Sequence, residues 1–585
     1  MTYRLFACAL LCLMLSSPAH AAGEYRTVDI ESLSITFDSE WSAQTAPGYW
    51  PVRFDIANLG GGRVIEIVST GNRWWNSGES ETSEIHRTLL MKPGDRIKLT
   101  IPVPVFGDSV NAVFQIRESG RILQAFNYSG LESNKPSELA AALIVADPSS
   151  PLGTAAEGWL RSAPRIGRYA VGGGGAPAAP KLDFILEPSR LPSDWLGFTS
   201  LRAVLIGQKE WTQLAAAQKD ALLTWLAAGG ELFFVDGDLK TLIPDQSQPA
   251  ALRTDSGAPT SYYFGHIFFP SSVDMATAGL DGVLSMARDA VKDPGQSLPA
   301  NRTPDWVRFN ERGFRLPIPG VEGVPVRSYM AILIVFSVLI GPVNYVLLWR
   351  KKRQALLVLT APLISVLFIV VIAGYALFGE GIGLKGSAES FTMLDQTSKH
   401  AATRASVSLY AAGMAPWNGL RFPREMAIFP TGVDGQGSRE HESLDLTESQ
   451  QFTSGIVRAR APSNFEEIAF RPARERLTFN RTDQKLTVVN GLGATLRQLF
   501  YLKDGALYTL SAPLAAGEQA ALQAKAGGVL DAGSLPAKFR TIAWAQKDGT
   551  YLATLDHSPF LETGVARVDE VQGFHLVLGY PGAEQ

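Results

Sequence analysis

The sequence predicts a multidomain membrane protein in which a β-sandwich, an α/β domain, two transmembrane helices and a second β-sandwich-like domain follow one another along 585 residues. Two long uncharged runs flank a basic tetrad, short alternating apolar segments fill both ends of the chain, and a strand–helix–strand pattern lies between them. The predicted divisions are a signal peptide (1–21), a sandwich (22–136), an α/β domain (137–270), a linker with a short helix (271–327), a transmembrane helix (328–349), a cytoplasmic loop (350–354), a transmembrane helix (355–378) and a β-rich domain (379–585).

The uncharged runs, residues 329–349 and 355–378, predict a membrane hairpin. A helix needs about 20 apolar residues to cross a bilayer core, and these runs lack the two-residue alternation of barrel strands. A buried hairpin in a soluble core is the alternative, but core helices seldom carry such runs on both sides of a basic tetrad. That tetrad predicts a cytoplasmic loop with both flanks on the opposite side; it consists of Arg350, Lys351, Lys352 and Arg353.

The N-terminus predicts export. Arg4 precedes an apolar run over residues 5–15, and Ala19-His20-Ala21 is a small-x-small cleavage pattern. An uncleaved anchor is the alternative. We therefore expect a multi-pass protein of the bacterial inner (cytoplasmic) membrane with both large parts on the periplasmic side.

Cysteine content and charge exclude several functions. The chain has two cysteines, and both lie in the predicted signal peptide, at positions 8 and 12. The mature chain therefore has no thiol nucleophile, disulfide or cysteine metal site. The formal net charge is −3, and no basic face or tail indicates nucleic-acid binding.

Residues 25–128 have strand character, with alternation such as that of residues 52–56 and turn signals at 58–62 and 92–95. This spacing predicts an immunoglobulin-like β-sandwich. Trp74 and Trp75 belong to an aromatic loop that can stack on a sugar or a partner protein. The alternative is that these rings cover the end of the sandwich.

The spacing of apolar residues along the sequence changes at residue 140. Residues 142–146 form a continuous apolar run typical of a buried parallel strand. Residues 182–186 and 202–206 are two further strands. After the second of these a helix covers residues 211–228, Gly229-Gly230 provides a C-cap, and residues 231–235 are the next strand. This βαβ unit predicts an α/β layer domain.

Three side chains in this domain are candidates for chemistry. Asp236 and Asp238 follow a strand at the edge where α/β domains place ligands, so they are weak candidates for a hard cation. A turn capping the strand is the alternative. His266 lies in an aromatic strand-like run, which favours a packed structural histidine. The glycine-rich segment 172–180 lacks the ending of a phosphate loop, and we assign no cofactor.

In the first apolar run, Gly341-Pro342 predicts a kink. Asn344 requires a polar partner there, which is another membrane protein, Thr360 within the hairpin, or the lipid headgroups near the cytoplasmic end. Strand-like segments resume after Phe378 and predict the second sandwich-like domain, with a polar loop over residues 434–450.

The stretch 202–236, most clearly WLAAGGEL at 225–232, resembles the class I glutamine-amidotransferase-like fold, a motif that many flavodoxin-like domains share. The enzymes of that family use a cysteine nucleophile with a histidine. Here no cysteine is present and no Gly-x-Ser-x-Gly elbow replaces it, so the resemblance implies a fold without that chemistry.

The whole arrangement is also similar to a family of uncharacterised bacterial membrane proteins. The residues that carry this likeness are GYWPVR at 48–53, WLAAGGEL, IGPVNY at 340–345 and NGLG at 490–493. This resemblance implies the topology and no activity.

We therefore expect a non-catalytic scaffold or accessory subunit of an envelope complex, whose partners are membrane or envelope proteins or a glycan. The candidate contacts are Trp74, Trp75 and Asn344. The alternatives are an extracytoplasmic hydrolase that uses Asp236, Asp238 and His266, or a polysaccharide-binding module that uses the aromatic loops.

Overall fold

The computed structural model describes residues 25–39, 48–74, 80–105, 109–129, 142–147, 149–150, 152–154, 156, 184–201, 203–254, 259–272, 316–318, 326–380, 383–412, 419–431, 442–482, 485–525, 546–565 and 567–582. The predicted signal peptide, the segment 172–180, most of the linker and Trp75 lie outside these residues. Within them the fold is mainly β-sheet with two apolar helical stretches.

The N-terminal region has eight strands, as its alternating pattern predicts. They are β1 (Tyr25–Ile30), β2 (Leu33–Asp38), β3 (Gly48–Asn58), β4 (Arg63–Trp74), β5 (Ser80–Met91), β6 (Arg96–Val105), β7 (Ser109–Glu118) and β8 (Arg121–Ser129). One sheet has the order β1-β2-β3-β6, and β5-β4-β7-β8 belong to another. Phe37, Phe54, Phe114 and Phe126 pack together between the sheets, with ring centroids as close as 4.7 Å.

The middle region is a seven-stranded sheet with the order β10-β9-β11-β12-β15-β14-β13. Its elements are β9 (Ala142–Val145), β10 (Phe184–Leu186), β11 (Ala203–Gly207), α1 (Gln208–Gln213), α2 (Ala216–Ala227), β12 (Glu231–Val235), α3 (Leu239–Leu242), β13 (Leu252–Arg253), β14 (Thr260–Tyr262) and β15 (Gly265–Phe268). The first five strands in the sheet order are parallel. β11 and β12 are parallel neighbours, which confirms the predicted strand–helix–strand unit. The single helix predicted over 211–228 is instead two, α1 and α2, because Leu214 and Ala215 between them have extended backbone.

The hairpin comprises α4 (Val326–Val338), a π-helical turn (Leu339–Val343), α5 (Asn344–Arg350), a short 3₁₀ turn (Gln354–Leu356) and α6 (Leu357–Glu380). Pro342 lies inside the π turn, as expected where a missing N–H interrupts a helix. Two stretches, Met330–Arg350 and Gln354–Ile372, are long and apolar enough to cross a membrane, and almost none of their residues is buried by the rest of the protein.

The C-terminal region is built from strands. They are β16 (Leu384–Asp395), β17 (His400–Ala411), β18 (Leu420–Phe422), β19 (Met426–Thr431), β20 (Glu442–Asp445), β21 (Gln450–Ser454), β22 (Pro462–Pro472), β23 (Arg476–Thr482), β24 (Lys485–Gly491), β25 (Leu496–Lys503), β26 (Ala506–Thr509), β27 (Gln519–Ala521), β28 (Gln523–Lys525), β29 (Thr550–Leu555) and β30 (Asp569–Tyr580). Nine form the sheet β19-β22-β17-β16-β30-β29-β25-β26-β28, and three form β23-β24-β27.

The regions before and after the hairpin share a sheet. Strands β18, β21 and β20 extend the N-terminal strands in the order β18-β21-β20-β5-β4-β7-β8, and β20 runs parallel to β5 with Leu444 opposite Ile85. The loop predicted over residues 434–450 is therefore wrong at β20, because pairing with a distant strand orders a polar segment that has no local strand signal. The regions before and after the hairpin are thus joined by strand hydrogen bonds into one folded body.

Candidate binding cleft

Residues 48–53 are the point where the three regions meet. Tyr49, fully buried on β3, donates its backbone N–H to Thr199 Oγ1 at 2.9 Å in the middle region. Its hydroxyl lies 2.8 Å from the carbonyl oxygen of Ile428 and 3.1 Å from Gln450 Oε1 in the C-terminal region. A Cβ added to Gly48 would lie 2.7 Å from the backbone of Ser200. This motif therefore joins β3 to both other regions.

A cleft of about 1200 Å³ lies at this junction. Its walls come from β6, from the segment after β10, from the start of α2 and from the β18–β21 part of the C-terminal region. Six basic and four acidic side chains line it, which gives the cleft a positive balance in a chain of net negative charge. These side chains are Arg53, Arg87, Arg96, Lys98, Arg190 and Arg424, and Asp38, Asp55, Glu187 and Asp194.

Two guanidinium groups share one carboxylate on one side of the cleft. Arg53 Nη2 and Arg190 Nη2 lie 2.7 Å and 2.9 Å from the same oxygen, Asp38 Oδ2. Arg53 also donates to the carbonyl oxygen of Arg190. Because Arg53 lies on β3 and Arg190 follows β10, this cluster fixes the middle region against the N-terminal sheet.

On another side, two guanidinium groups converge on backbone carbonyls. Arg87 Nη1 donates to the carbonyl oxygens of Leu446 and Thr447, the latter at 2.6 Å. Arg424 Nη2 donates to the same two oxygens at 2.7 Å and 3.1 Å. Within the described residues, neither guanidinium forms an ion pair with a carboxylate. Two like charges held this close produce a positive potential that an anion would relieve.

Asp194 forms part of the cleft wall and caps the 3₁₀ turn Trp195–Phe198, where its side chain accepts from the N–H of Leu196 at 3.0 Å. Burial raises the pKa of Asp194 to about 6; the hydrogen bond from Leu196 opposes this shift, and the nearby charge of Glu425 adds to it. Below pH 6 the cleft therefore loses part of its negative charge.

The three side chains considered for chemistry have structural partners. Asp236 Oδ1 accepts from the N–H of Ser272 at 2.8 Å. Asp238 is the N-cap of α3 and accepts from the N–H of Thr241 at 2.7 Å, a bond that lowers the pKa of its carboxyl. His266 is buried on β15, and this burial, with the charge of Arg253, lowers its pKa to about 4. No cluster of three metal-ligand side chains occurs among the described residues.

The remaining predicted contacts lie elsewhere. The aromatic loop predicted at Trp74 is wrong, because Trp74 is the last residue of β4 and pairs with both β5 and β7. Trp75 is outside the described residues. Asn344 Nδ2 donates to Thr360 Oγ1 at 3.0 Å, and the Thr360 hydroxyl lies 3.1 Å from Asn344 Oδ1, so the hairpin supplies the polar partner. The basic tetrad at 350–353 is exposed at the tip of the hairpin.

Sequence reasoning missed the arginines of the cleft. Arg53 belongs to the GYWPVR motif, but Arg87, Arg190 and Arg424 are single residues from three different segments. No local pattern unites them, because only the long-range strand pairing brings their segments together.

No protein-family model matches the chain, and no curated protein matches it. Among solved structures, β-glucuronidase 2 of Bacteroides uniformis has 9% identity and a TM-score of 0.13 over 37% of this chain and 23% of that chain. The μ-homology domain of yeast δ-COP, complexed with a Dsl1 WxWxV peptide, has 9% identity and a TM-score of 0.15 over 34% of this chain and 95% of that one. A glycosyl hydrolase family 2 member of Bacteroides cellulosilyticus has 8% identity and a TM-score of 0.13, covering 92% and 78%. This chain thus spans about a quarter of the first of these proteins, and likenesses at such TM-scores carry no argument about fold or function.

Proposed function

We propose that the protein is a non-catalytic accessory subunit of an envelope complex, anchored in the bacterial inner membrane by its helical hairpin. Its extracytoplasmic body would combine an immunoglobulin-like sandwich, a flavodoxin-like domain of the glutamine-amidotransferase type without its chemistry, and a C-terminal sandwich. Partner proteins would bind this body. The family of bacterial membrane proteins suggested by GYWPVR and IGPVNY fits the same topology.

The observation that carries the proposal is the shared sheet. Because β20 hydrogen-bonds to β5, the chain segments before and after the hairpin belong to one folded body. A body of this kind lies on one side of a membrane, which supports a hairpin that enters and leaves on that side. The tetrad at its tip would then lie in the cytoplasm, as the positive-inside rule favours.

The engagement of the candidate catalytic groups supports a binding role over hydrolysis. Asp236 and Asp238 are held by backbone N–H groups, and His266 is buried with the Phe268 ring 6.5 Å away between centroids. The guanidinium groups of Arg87 and Arg424 in the cleft also bond to backbone groups, but within the described residues no carboxylate neutralises their charge. Such a surface suits recognition of a partner.

Substituted cysteines test the topology, because the chain has no cysteine after position 12. Lys92→Cys lies in an exposed turn of the N-terminal region, and Lys351→Cys lies at the hairpin tip. A membrane-impermeant maleimide applied to spheroplasts should label the first and should label the second only after permeabilisation. The opposite pattern would disprove the proposed orientation.

Affinity purification of the tagged full-length protein from native membranes in a mild detergent tests the accessory role. We expect a stoichiometric companion identified by mass spectrometry, and its recovery in the reciprocal purification. Purification of this chain alone at its native abundance would contradict the proposal.

A further inference from the structure

Strand β6 has a free edge that faces the cleft. It is the last strand of the sheet β1-β2-β3-β6, and its consecutive residues from Arg96 to Pro102 line the cleft. Ile97 and Leu99 pack towards the core and Ile101 is buried, whereas the intervening side chains point outward. The cleft-facing N–H and C=O groups between residues 97 and 101 have no hydrogen-bond partner among the described residues. A free strand edge is a template for another strand.

Charged side chains on this edge protect it from pairing with itself and select which other strands can bind it. Arg96 and Lys98 project from it and share Asp55, at 2.7 Å and 3.8 Å. Across the same cleft, Arg87 and Arg424 converge on two carbonyl oxygens without a carboxylate among the described residues. These charges disfavour pairing between two copies of β6, because like charges would face each other. They favour a strand that carries carboxylates.

We propose that the cleft receives an extended acidic segment of a partner protein, which adds a strand to the edge of β6 and places carboxylates against Arg87 and Arg424. Main-chain hydrogen bonds would provide affinity, and the guanidinium groups would select for Asp or Glu. This inference deepens the accessory-subunit proposal and rests on it.

The length of the β6 edge limits how many residues of the partner's segment can pair with it. Residues 96–101 of β6 extend over about 20 Å, which corresponds to roughly six residues of a paired strand. Pro102 and Pro104 lack an N–H, so pairing ends before them. Side chains at alternate positions of a strand share one face and lie about 7 Å apart. We therefore expect acidic residues at alternate positions of the bound segment.

Site-specific photocrosslinking of the full-length protein in its native membranes tests this inference. Lys98, exposed on β6, is replaced by p-benzoylphenylalanine, and Lys485, exposed on β24, is the control position. After irradiation, mass spectrometry identifies the crosslinked segment. We expect an adduct from position 98 and none of the same species from position 485. The attached segment should be acidic, extended and part of a second protein.

The charge requirement is tested in the same cells. The double variant Arg87→Gln, Arg424→Gln should lower the adduct yield about tenfold, since each guanidinium contributes a charge-assisted hydrogen bond. The matched control is Arg481→Gln, whose exposed pair with Asp504 lies outside the cleft, and its yield should be unchanged. Because both cleft arginines also hold the segment after β20, a second measurement uses the unaltered cleft: 0.5 M NaCl before irradiation should reduce the adduct severalfold.

An adduct only with lipid, glycan or this chain's own residues would overturn the inference. So would a neutral or basic segment, a yield insensitive to both the arginine changes and salt, or no adduct from position 98. If a companion still co-purifies in these cases, the accessory role stands and the cleft is not its docking site. If no companion co-purifies, the accessory role itself fails.

Discussion

The hydroxyl of Tyr49 hydrogen-bonds to the edge strand of a sheet that is distant in the sequence. Strand β19 is the first strand of the nine-stranded sheet, and Ile428 directs its backbone away from the neighbouring strand. The Tyr49 hydroxyl donates to the carbonyl oxygen of Ile428 at 2.8 Å and accepts from its N–H at 3.1 Å. Both residues are completely buried, so water cannot replace these bonds. Tyr49→Phe therefore leaves two buried backbone groups without a partner.

The expected cost follows from these two groups. Each unsatisfied buried polar group costs about 1–3 kcal/mol, and the phenol no longer has to be desolvated, so we expect a net loss of about 2–4 kcal/mol in the free energy of opening β19. Since 1.4 kcal/mol corresponds to a factor of ten, amides of β19 should exchange about 30- to 1000-fold faster. Hydrogen exchange of the purified protein, read by mass spectrometry on peptides covering β19, measures this change.

The controls separate a local effect from general destabilisation. Tyr25→Phe removes the hydroxyl of an exposed tyrosine and should leave the exchange of β19 unchanged. Strand β29, which lies in the same sheet away from Tyr49, should keep its protection in both variants. A change of less than about threefold in β19 of Tyr49→Phe would refute the reasoning. The contact of the Tyr49 ring with Phe429, at 5.8 Å between centroids, would then account for the contribution of Tyr49 to the stability of β19.

Three further changes test other parts of the structure. Gly265→Ala places a Cβ 2.0 Å from the carbonyl oxygen of Leu226, and the resulting shift of backbone should cost about 1–3 kcal/mol in urea unfolding. Asn344→Leu removes the bond to Thr360 and should lower hairpin stability by about 1 kcal/mol, measured by SDS titration in mixed micelles. His266 has a folded pKa of about 4 against an ordinary value of 6.5, so it contributes stability above pH 6.5 that is lost as pH falls towards 4. His266→Gln should remove that loss, roughly 3 kcal/mol, from urea unfolding curves measured across this pH range.

Each of these changes has a matched control. Gly61→Ala adds a Cβ with no atom within 4 Å and should be nearly neutral. Ser337→Ala removes a hydroxyl that donates to a carbonyl oxygen of its own helix. The stability of the hairpin should therefore change less than in Asn344→Leu. His557→Gln changes an exposed histidine and should not abolish the loss of stability that His266 causes as pH falls from 6.5 towards 4. Equal effects of test and control would contradict the argument in each case. The pKa of Asp194 is raised, so Asp194 contributes stability below pH 3.8 that is lost as pH rises through 6. This contribution opposes part of the His266 effect, but it is the same in both histidine variants.

Local features of the sequence suffice for the hairpin. Uncharged length and the basic tetrad predict two apolar helices, and the pairing of Asn344 with Thr360 follows from their similar distances from the loop. In WLAAGGEL, the requirement for glycine has a direct cause, because a Cβ at Gly230 would lie 2.4 Å from the Trp225 ring. Such positions are predictable because their constraint comes from neighbours in the chain.

The cleft was not predictable for the opposite reason. Arg87 and Arg424 meet only because β20 pairs with β5, and β20 is a four-residue strand within a polar segment. A polar strand of that length has no periodicity to distinguish it from a loop, so its order comes from its partner rather than from its own residues. The charge convergence at the cleft therefore depends on contacts between residues more than 300 positions apart.

The attachment of the hairpin to the body limits how the cleft can face a partner. Before α4, Ile318 packs with Tyr410 and Ala412, and the N–H of Leu316 lies 3.3 Å from Ser408 Oγ. After α6, β16 begins at Leu384, which pairs with Ala411 at the same end of β17. Both connections thus reach one end of the β16–β17 pair. If the hairpin spans the membrane as proposed, two short tethers at one place hold that end near the bilayer and restrict pivoting. The β6 edge would then keep one orientation to the membrane, which reduces the rotational freedom that a membrane-bound partner loses on binding.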